Sequence, residues 1–342
     1  MSDRTIIALD AGRSAIKAVA FADGKKYPIV IPSIVAKAES VSSALDAKEA
    51  EIETVDVDGV KLFCGETARI ISGATMTTGL SDQWIFDTEY RALCLAVVKR
   101  LAHLGVPGLY DPLIVVGTPA DLFEVQRYKL EEVTSSILPG KVIALSQPMG
   151  AYFSYVMDER GVPIRERGYR ENGAKRSWAV IEIGHYTSDF LFIREGRNID
   201  SKASSCGGMN GAADRLKSIL TKQQFTNQTP LKCQTSLATK TARKNGIDVD
   251  ISNFVSEAIA YVAYEITNLA KSNFSKEMDD LDGILLAGGG ASLLYDHLKK
   301  SLRNVVLLEE PRMAVAEGYL RFAKGYFLQE SRKNKSVVET NA

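Results

Sequence analysis

The sequence predicts an α/β protein with two similar halves, and three observations support this. Short apolar runs of strand character alternate with longer segments of helical periodicity. The chain has 342 residues, which is enough for two domains of ~100–200 residues each. A strand followed by an acidic residue and a glycine turn occurs at the start of the chain and again in its second half.

The composition excludes several classes of protein. Hydrophobic residues make up 45% and charged residues 25%, as in globular proteins, and 42 basic residues balance 42 acidic ones. A chain without net positive charge is a poor candidate for direct binding to nucleic acid. Four cysteines without a CxxC pair and three histidines argue against a zinc site or a disulfide framework. No apolar stretch approaches the ~20 residues of a membrane span, so a cytoplasmic protein is expected.

The first half begins with three strand-like runs, Arg4–Leu9, Ala15–Ala22 and Pro28–Ile34. Their connections are too short for the crossovers that parallel strands need, so we expect an antiparallel meander. Further strands are predicted at Glu51–Val57, Val60–Cys64, Leu113–Val116 and Lys141–Ser146, with helices over Thr88–Leu104 and from a cap at Asp121 to about Ile137.

The second half repeats this plan after Asp158–Ser177, a charged segment with several glycines that indicates a surface loop or hinge. A second meander is predicted over Trp178–Ile183, Ser188–Arg194 and Asn198–Ala203. The later elements are a helix over Ile251–Asn273, strands at Gly283–Ala287 and Val305–Leu308, a helix from Pro311 to about Leu328, and a disordered polar tail over 329–342.

The repeated strand and turn have a chemical meaning. A carboxylate at the end of a strand, followed by a glycine turn, directs an acid and a row of backbone N–H groups into one space. Such N–H groups bind anions, and the carboxylate can hold the water shell of Mg²⁺. One such hairpin alone is usually only a turn, but the pair favours two halves that clamp nucleotide phosphates between them. The aligned pairs are Asp10 with Glu182, Gly12 with Gly184, and Lys17 with Asp189.

These motifs resemble the actin superfamily of nucleotide-dependent ATPases, and most closely the bacterial actin-like ParM/StbA plasmid-segregation proteins. The resemblance extends from Ile6 to about Ala323, and the motifs occur in the family's order. The segments concerned are Asp10–Lys17 and Glu182–Asp189 (phosphate), Leu145–Tyr152 and Pro311–Tyr319 (connecting helices), Leu286–Ser292 (adenosine), Phe63–Arg69 and Val115–Pro119.

The resemblance implies an actin-like (ribonuclease H-like) fold with two pseudo-symmetric domains around a nucleotide cleft. Domain I would span residues 1–165, with a small subdomain over about 36–76, and would be completed by the helix at 311–328. Domain II would span 176–310.

The resemblance also implies ATP or GTP as ligand, together with Mg²⁺. Asp10 and Glu182 would hold the metal through water, and Gln147 would orient the attacking water, although a helix-start hydrogen bond would also explain Gln147. The family usually has Asp where this chain has Glu182, and more often Gly where it has His185, for which a solvent-facing ring is the simpler interpretation. The expected nucleotide contacts are Asp10, Gly12, Arg13, Ser14, Lys17, Gly184, His185, Tyr186, Thr187, Gly207, Gly208, Gly288, Gly289 and Gly290.

The function implied is that of an ATPase that polymerises on binding ATP and segregates plasmid DNA. Its partners would be further copies of itself and a DNA-binding adaptor at a centromere-like site. Two alternatives stay open. One is a small-molecule kinase of the sugar or acetate type, which would need an Asp base and a substrate pocket. The other is a non-polymerising actin-like scaffold for division or pilus assembly.

Overall fold

A computed structural model describes residues 4–71, 73 and 83–340. Four positions of the predicted small subdomain, 72 and 74–76, lie outside the described residues. The strands are β1 Ile6–Ala11, β2 Ala15–Ala22, β3 Lys25–Pro32, β4 Val35–Lys37, β5 Thr54–Val57, β6 Val60–Cys64, β7 Leu113–Thr118, β8 Lys141–Ser146, β9 Trp178–Ile183, β10 Thr187–Arg194, β11 Arg197–Asn198, β12 Ser204–Gly207, β13 Thr241–Lys244, β14 Ile247–Asp250, β15 Gly283–Ala287 and β16 Val305–Leu307. The helices are α1 Ala44–Glu53, α2 Glu66–Ile71, α3 Thr88–His103, α4 Phe123–Ile137, α5 Gln147–Val156, α6 Arg165–Gly168, α7 Met209–Lys222, α8 Pro230–Thr239, α9 Ser252–Asn273, α10 Ala291–Ser301 and α11 Ala314–Thr340.

The chain divides into two compact units. Unit 1 comprises Met1–Gly173 together with Met313–Ala342, and unit 2 comprises Ala174–Arg312. The last helix of the chain, α11, therefore belongs to unit 1, where it packs on α5 and on strands β1, β2 and β7.

Unit 1 contains a five-stranded sheet in the order β3-β2-β1-β7-β8. β1, β2 and β3 pair antiparallel, which confirms the predicted meander, and β7 and β8 continue the sheet in parallel. Every residue of β1 and β7 is buried. Strands covered on both faces have continuous apolar runs rather than alternating ones, and this explains why they were recognisable in the sequence.

Unit 2 repeats this topology in the order β11-β10-β9-β15-β16. Here β9 takes the place of β1, β10 and β11 form its antiparallel meander, and β15 and β16 follow in parallel. The buried side chains of β9, β10 and β15 pack with α7, α9 and α10 into one hydrophobic core. The repeat inferred from the sequence is thus a repeat of strand order.

A small three-stranded sheet, β4-β6-β5, lies beside α1 and α2 within unit 1. Its own core is formed by Ile34, Ala50, Phe63 and Ala68. The sequence predicts a strand from Glu51, whereas residues up to Glu53 belong to α1. Ser43 caps this helix by accepting a hydrogen bond from the N–H of Asp46, and the strand begins only at Thr54.

Three further predictions of elements differ from the structure. Asn198–Ala203 is not one strand, because a 3₁₀ turn at Asp200–Lys202 separates β11 from β12, and β12 pairs back onto β10. Helix α4 begins at Phe123, and the residue at its N-cap is Leu122, which has no side-chain cap, instead of Asp121. The last helix begins at Ala314 instead of Pro311 and continues to Thr340, past the predicted end at Leu328 and into the predicted tail, since no glycine or proline interrupts that segment.

Candidate functional site

The first predicted turn places a buried carboxylate at the end of the central strand of unit 1. Asp10 is 1% exposed and lies opposite Lys17 in the β1–β2 register. The Lys17 ammonium, itself buried, forms an ion pair with Asp10 Oδ2. Gln147 Nε2 donates a hydrogen bond of 3.0 Å to Asp10 Oδ1. Both carboxylate oxygens are therefore held by donors from β2 and from the start of α5.

Gly12 is required by the close packing of this turn. A β-carbon there would lie 2.7 Å from the Ala15 carbonyl oxygen and 3.4 Å from Lys17 Nζ. Ser33 holds the turn from outside, because its hydroxyl donates to Gly12 O at 2.6 Å and its N–H donates to Ser14 O at 3.0 Å. Sequence reasoning did not identify Ser33, since nothing in the local pattern links it to a turn 20 residues earlier. Arg13 and Ser14 are partly exposed in the turn.

Gln147 is the first residue of α5, with Pro148 behind it in the first turn. Its side chain reaches Asp10 instead of capping its own helix. The structure therefore brings Gln147 to the carboxylate of the first turn within unit 1, and its role in orienting water stays a prediction. A helix-start hydrogen bond does not account for its position.

The second predicted turn has the same register in unit 2. Glu182, 6% exposed, lies opposite Asp189, which is fully buried. The Gly184 N–H donates to Thr187 O at 2.9 Å, and the Thr187 hydroxyl donates to Asp189 Oδ2 at 2.9 Å. This hairpin therefore ends in two carboxylates where the first has a carboxylate and an ammonium.

Gly207 and Gly208 are brought against this turn by the start of α7. The N–H groups of Gly208, Met209 and Asn210 donate to Tyr186 O, Gly184 O and His185 O at 2.7–3.1 Å. A β-carbon on Gly208 would lie 2.7 Å from two of those carbonyl oxygens. The first N–H groups of the helix therefore hold the turn in place through its three carbonyl groups.

The three consecutive glycines after β15 pack against the end of β9. Gly288 has a φ of +91°, and a β-carbon there would lie 2.5 Å from Glu182 Oε1. The Gly290 N–H donates to Ile183 O at 3.0 Å. A β-carbon on Gly289 would meet no atom within 4 Å, so this position is open. A side chain at Gly288 or Gly290 would thus clash with its neighbours, whereas there is open space beside the α-carbon of Gly289.

His185 is half-buried, and its ring packs edge-on against Tyr186 with centroids 4.5 Å apart. Its Nδ1 is inaccessible and has no hydrogen-bond partner among the described residues. Burial lowers the pKa of His185 below its ordinary value, and the nearby Asp214 carboxylate acts in the opposite direction. The ring is therefore not the freely solvated side chain that the simpler interpretation assumed.

Glu265 on α9 is a residue near the turn that sequence reasoning missed. A β-carbon on Gly207 would lie 3.6 Å from Glu265 Oε2. Burial, together with the carboxylates of Glu265 and Asp189, raises the pKa of the Cys206 thiol to about 12. Helix α9 has no motif that marks Glu265, because only the fold brings it next to β12.

Each unit thus assembles one half of the predicted residues. Unit 1 brings together Asp10, Gly12, Lys17 and Gln147, and unit 2 brings together Glu182, 184–187, 207–208 and 288–290. Within the described residues, no three His, Cys, Asp or Glu side chains form a group that could hold a metal ion by themselves. Across the same part of the chain, no helix combines the length and the apolar character that a membrane crossing requires.

Two family models match the chain, one in each half. The model of the N-terminal domain of actin-like proteins matches residues 8–149. The model of the C-terminal domain of MreB-like archaeal actin homologues matches residues 180–300. A comparison with curated protein sequences gives no match.

Solved structures of actin-like proteins share the fold over almost the whole chain. An archaeal actin homologue superposes with a TM-score of 0.74 at 20% identity, covering 94% of this chain and 99% of that one. A 15-stranded ParM filament from Clostridium botulinum gives 0.72 at 19% identity, with the same coverage. ParM from Bacillus thuringiensis with ATP gives 0.63 at 15% identity, covering 96% and 99%.

The two matched models describe the two halves of actin-like proteins, in the same order as the two sheets found here. The solved structures show that the same fold accommodates both halves in one chain. The chain therefore has the actin-like fold, and each of its halves matches a model of actin-like proteins.

Proposed function

We propose that this protein is an ATPase that assembles into filaments on binding a magnesium nucleotide, and that it segregates plasmid DNA through a DNA-bound adaptor. One observation supports this above all others. The two central hairpins, one per unit, have a buried carboxylate and a tight glycine turn at equivalent register positions, Asp10 opposite Lys17 and Glu182 opposite Asp189. Each of these hairpins combines groups that suit a ligand with several negative charges and a divalent cation.

Each hairpin supplies a carboxylate that suits water-mediated binding of magnesium. Asp10 and Glu182 offer only oxygen, the ligand that Mg²⁺ prefers. Asp10 already accepts hydrogen bonds from Lys17 and Gln147, and its remaining lone pairs suit hydration water better than direct ligation. Bound Mg²⁺ would supply neutralisation of phosphate charge. The Gly12 and Gly184 N–H groups close their own turns, so the later amides of each turn, at 13–14 and 185–187, would bind the phosphates, with the ammonium of Lys17 beside Gly12.

Hydrolysis would depend on Gln147. A glutamine amide is a poor base but can orient an attacking water by accepting and donating hydrogen bonds. One of the two Nε2 donors is engaged with Asp10, which leaves the second N–H and the amide oxygen for water. A site that orients water without a base should hydrolyse ATP slowly. Slow hydrolysis suits a filament that must persist before it disassembles.

Relatives support the nucleotide and the filament. The archaeal homologue has been solved with ADP, the Bacillus thuringiensis ParM with ATP, and the Clostridium botulinum ParM as a filament. The zero net charge of the chain is in keeping with an adaptor that contacts DNA in its place. By this proposal the partners are other copies of the chain and the adaptor.

Sedimentation with parallel phosphate release tests the proposal. We expect the wild-type protein to pellet with Mg²⁺ and ATP, or with GTP, and to stay in the supernatant without nucleotide or with EDTA. Phosphate release should accompany the pellet. Phosphorylation of a sugar or of acetate by soluble protein would instead favour a kinase, and nucleotide binding without pellet or turnover would favour a scaffold. A protein that binds no nucleotide would overturn the proposal entirely.

A further inference from the structure

The last strand of the unit 2 sheet has one edge without a neighbouring strand. Among the described residues, β16 ends the strand order and pairs only with β15. The Ile284 N–H donates to Asn304 O at 2.9 Å, so the carbonyl of Asn304 faces β15. Since successive residues of a strand direct their backbone groups to alternate edges, those of Val305 and Leu307 face away from β15. The sheet therefore offers two N–H groups and two carbonyl groups to a further strand.

The loop before β16 and the apolar side chains of the strand hold this edge in place. A β-carbon on Gly283 would lie 2.9 Å from Asn304 O, and Asn304 itself has a left-handed φ of 53°. Val305 and Leu307 are only partly exposed, because they pack against the hydrophobic core of unit 2. The fold of this unit thus forms the edge before any partner binds.

Charges of opposite sign flank the two ends of β16. Lys299 and Lys300 lie in the last turn of α10, and Arg303 follows in the loop, where the three cations line a surface pocket of about 570 Å³. Glu309 and Glu310 follow the strand. All five side chains are exposed, and none forms an ion pair with a residue in the described part of the chain. The free edge therefore has positive charge before it and negative charge after it.

We propose that β16 pairs antiparallel with β16 of a second copy of this chain, which joins two unit 2 sheets edge to edge. In this arrangement the cations before one strand lie beside the carboxylates after the other, and two-fold symmetry makes the contact twice. A parallel arrangement would bring like charges together. Charges beside an exposed edge commonly prevent pairing, but opposite signs at its two ends favour one orientation.

The free backbone groups determine the register of this pairing. All of them form hydrogen bonds when Val305 of each copy lies opposite Leu307 of the other. Val306 then faces Val306 across the two-fold axis, and Arg303 lies opposite Glu309. The central pair is of the type without hydrogen bonds of its own, with α-carbons about 4.5 Å apart. A disulfide needs α-carbons about 4.4–6.8 Å apart, so cysteines at this position could be joined.

Disulfide trapping of the full chain, without nucleotide, tests the inference. Strands as short as β16 bury little surface, so the contact should be weak between single copies and needs a trap. Val306→Cys with oxidised glutathione should give a dimer on a gel without reductant, and reductant should reverse it. The wild-type chain, with its four native cysteines, and Val60→Cys, at an exposed valine of β6, should stay monomeric.

Charge reversal distinguishes this pairing from random encounter. Adding Arg303→Glu to Val306→Cys should slow trapping about tenfold, because it turns two attractions into repulsions. Adding Glu309→Arg as well should restore the rate. Lys222→Glu, which reverses an exposed cation in the last turn of α7, is the matched control and should leave trapping within about twofold.

Trapping of Val306→Cys no faster than that of Val60→Cys would overturn the inference, as would a loss in Arg303→Glu that Glu309→Arg does not reverse. Thermal melts identify a variant that fails to fold, and sedimentation equilibrium of the wild-type chain then decides. A reversible dimer that salt dissociates supports the pairing, and a monomer at every concentration overturns it. The nucleotide is not involved, so failure of this pairing leaves the proposed function intact, and failure to bind nucleotide leaves the pairing intact.

Discussion

Asp10 and Lys17 are the clearest case of charges balanced inside this fold. They face each other across β1 and β2, and both side chains are almost entirely shielded from solvent. A buried carboxylate destabilises the folded state unless a hydrogen-bond donor or a cation interacts with it. Here Lys17 binds one oxygen of Asp10, and Gln147 donates a hydrogen bond to the other. The sequence suggested both residues as ligand contacts, but only the fold shows that they also stabilise each other.

Lys17→Met should therefore destabilise the protein by about 3 kcal/mol, because it leaves the Asp10 charge buried without its cation. Chemical denaturation of wild type and variant measures this loss. Lys25→Met on the exposed start of β3 is the control and should change stability by less than about 0.5 kcal/mol. Adding Asp10→Asn to Lys17→Met should recover part of the loss, and a loss below about 1 kcal/mol in the single variant would contradict the argument.

His185 should make the protein less stable in mild acid. Burial lowers its pKa in the folded state, so below about pH 6.5 the unfolded chain binds a proton that the folded chain resists. The destabilising contribution is absent above that pH and grows as the pH falls toward the folded-state pKa. Melting curves between pH 7.5 and 5.5 measure it.

The comparison variant for this pH effect is His185→Gln, which keeps a polar side chain but cannot titrate. Its stability should fall less steeply over the same range than that of wild type. Parallel slopes for the two proteins would show that groups other than His185 govern the acid sensitivity.

At the level of elements, α5 and α11 approach each other through glycine. A β-carbon on Gly318 would lie 1.7 Å from Gly150 O, and one on Gly150 would lie 2.6 Å from the Tyr319 ring. Tyr319 is fully buried beneath these glycines. The helix that returns from the end of the chain can dock on unit 1 only because both helices lack side chains at their crossing.

Gly318→Ala should consequently cost about 2–3 kcal/mol of stability, although alanine is the better helix former. Thermal or urea unfolding measures the change. Gly168→Ala on α6 is the matched control, since a β-carbon there meets nothing within 4 Å, and it should be neutral or slightly stabilising. Equal stability of the two variants would mean that α11 can shift away from α5 without loss.

Elements buried on both faces were predictable, whereas those defined by distant partners were not. Trp178–Ile183 and Gly283–Ala287, in which every residue is buried, match the structure residue for residue, because their apolar runs end at clear turn signals. β12 was missed because its pairing with β10 follows a 3₁₀ turn that no local pattern marks. Helix α1 was misjudged because Glu51 and Glu53 suit a helix as well as an exposed strand.

For the whole molecule, the internal repeat was the most informative part of the sequence. The alignment pairs Asp10 with Glu182 and Lys17 with Asp189, and these residues do occupy equivalent register positions in the two hairpins. The same alignment could not show that Ser33 holds the first turn, or that the amides of α7 hold the second. Those contacts join segments that are far apart in the sequence, and they arise from the repeated topology instead of from any motif.

Gln147→Ala relates the site to the behaviour of the proposed filament. The change removes one hydrogen bond to Asp10, which Lys17 still holds, so nucleotide affinity should stay within about twofold of wild type. Hydrolysis should slow at least tenfold, because the attacking water loses the group that orients it. Filaments should then persist longer after ATP is exhausted, since loss of the γ-phosphate is the step that would release their contacts.

Phosphate release measures the rate of hydrolysis, and light scattering in the same sample measures the lifetime of the filaments. Gln329→Ala, exposed on α11, is the control and should match wild type in both signals. If Gln147→Ala hydrolyses ATP at the wild-type rate, Gln147 has no role in orienting water. If hydrolysis slows but filament lifetime does not change, Gln147 keeps its role, and filament disassembly must instead follow an event other than hydrolysis, such as nucleotide exchange at the filament ends.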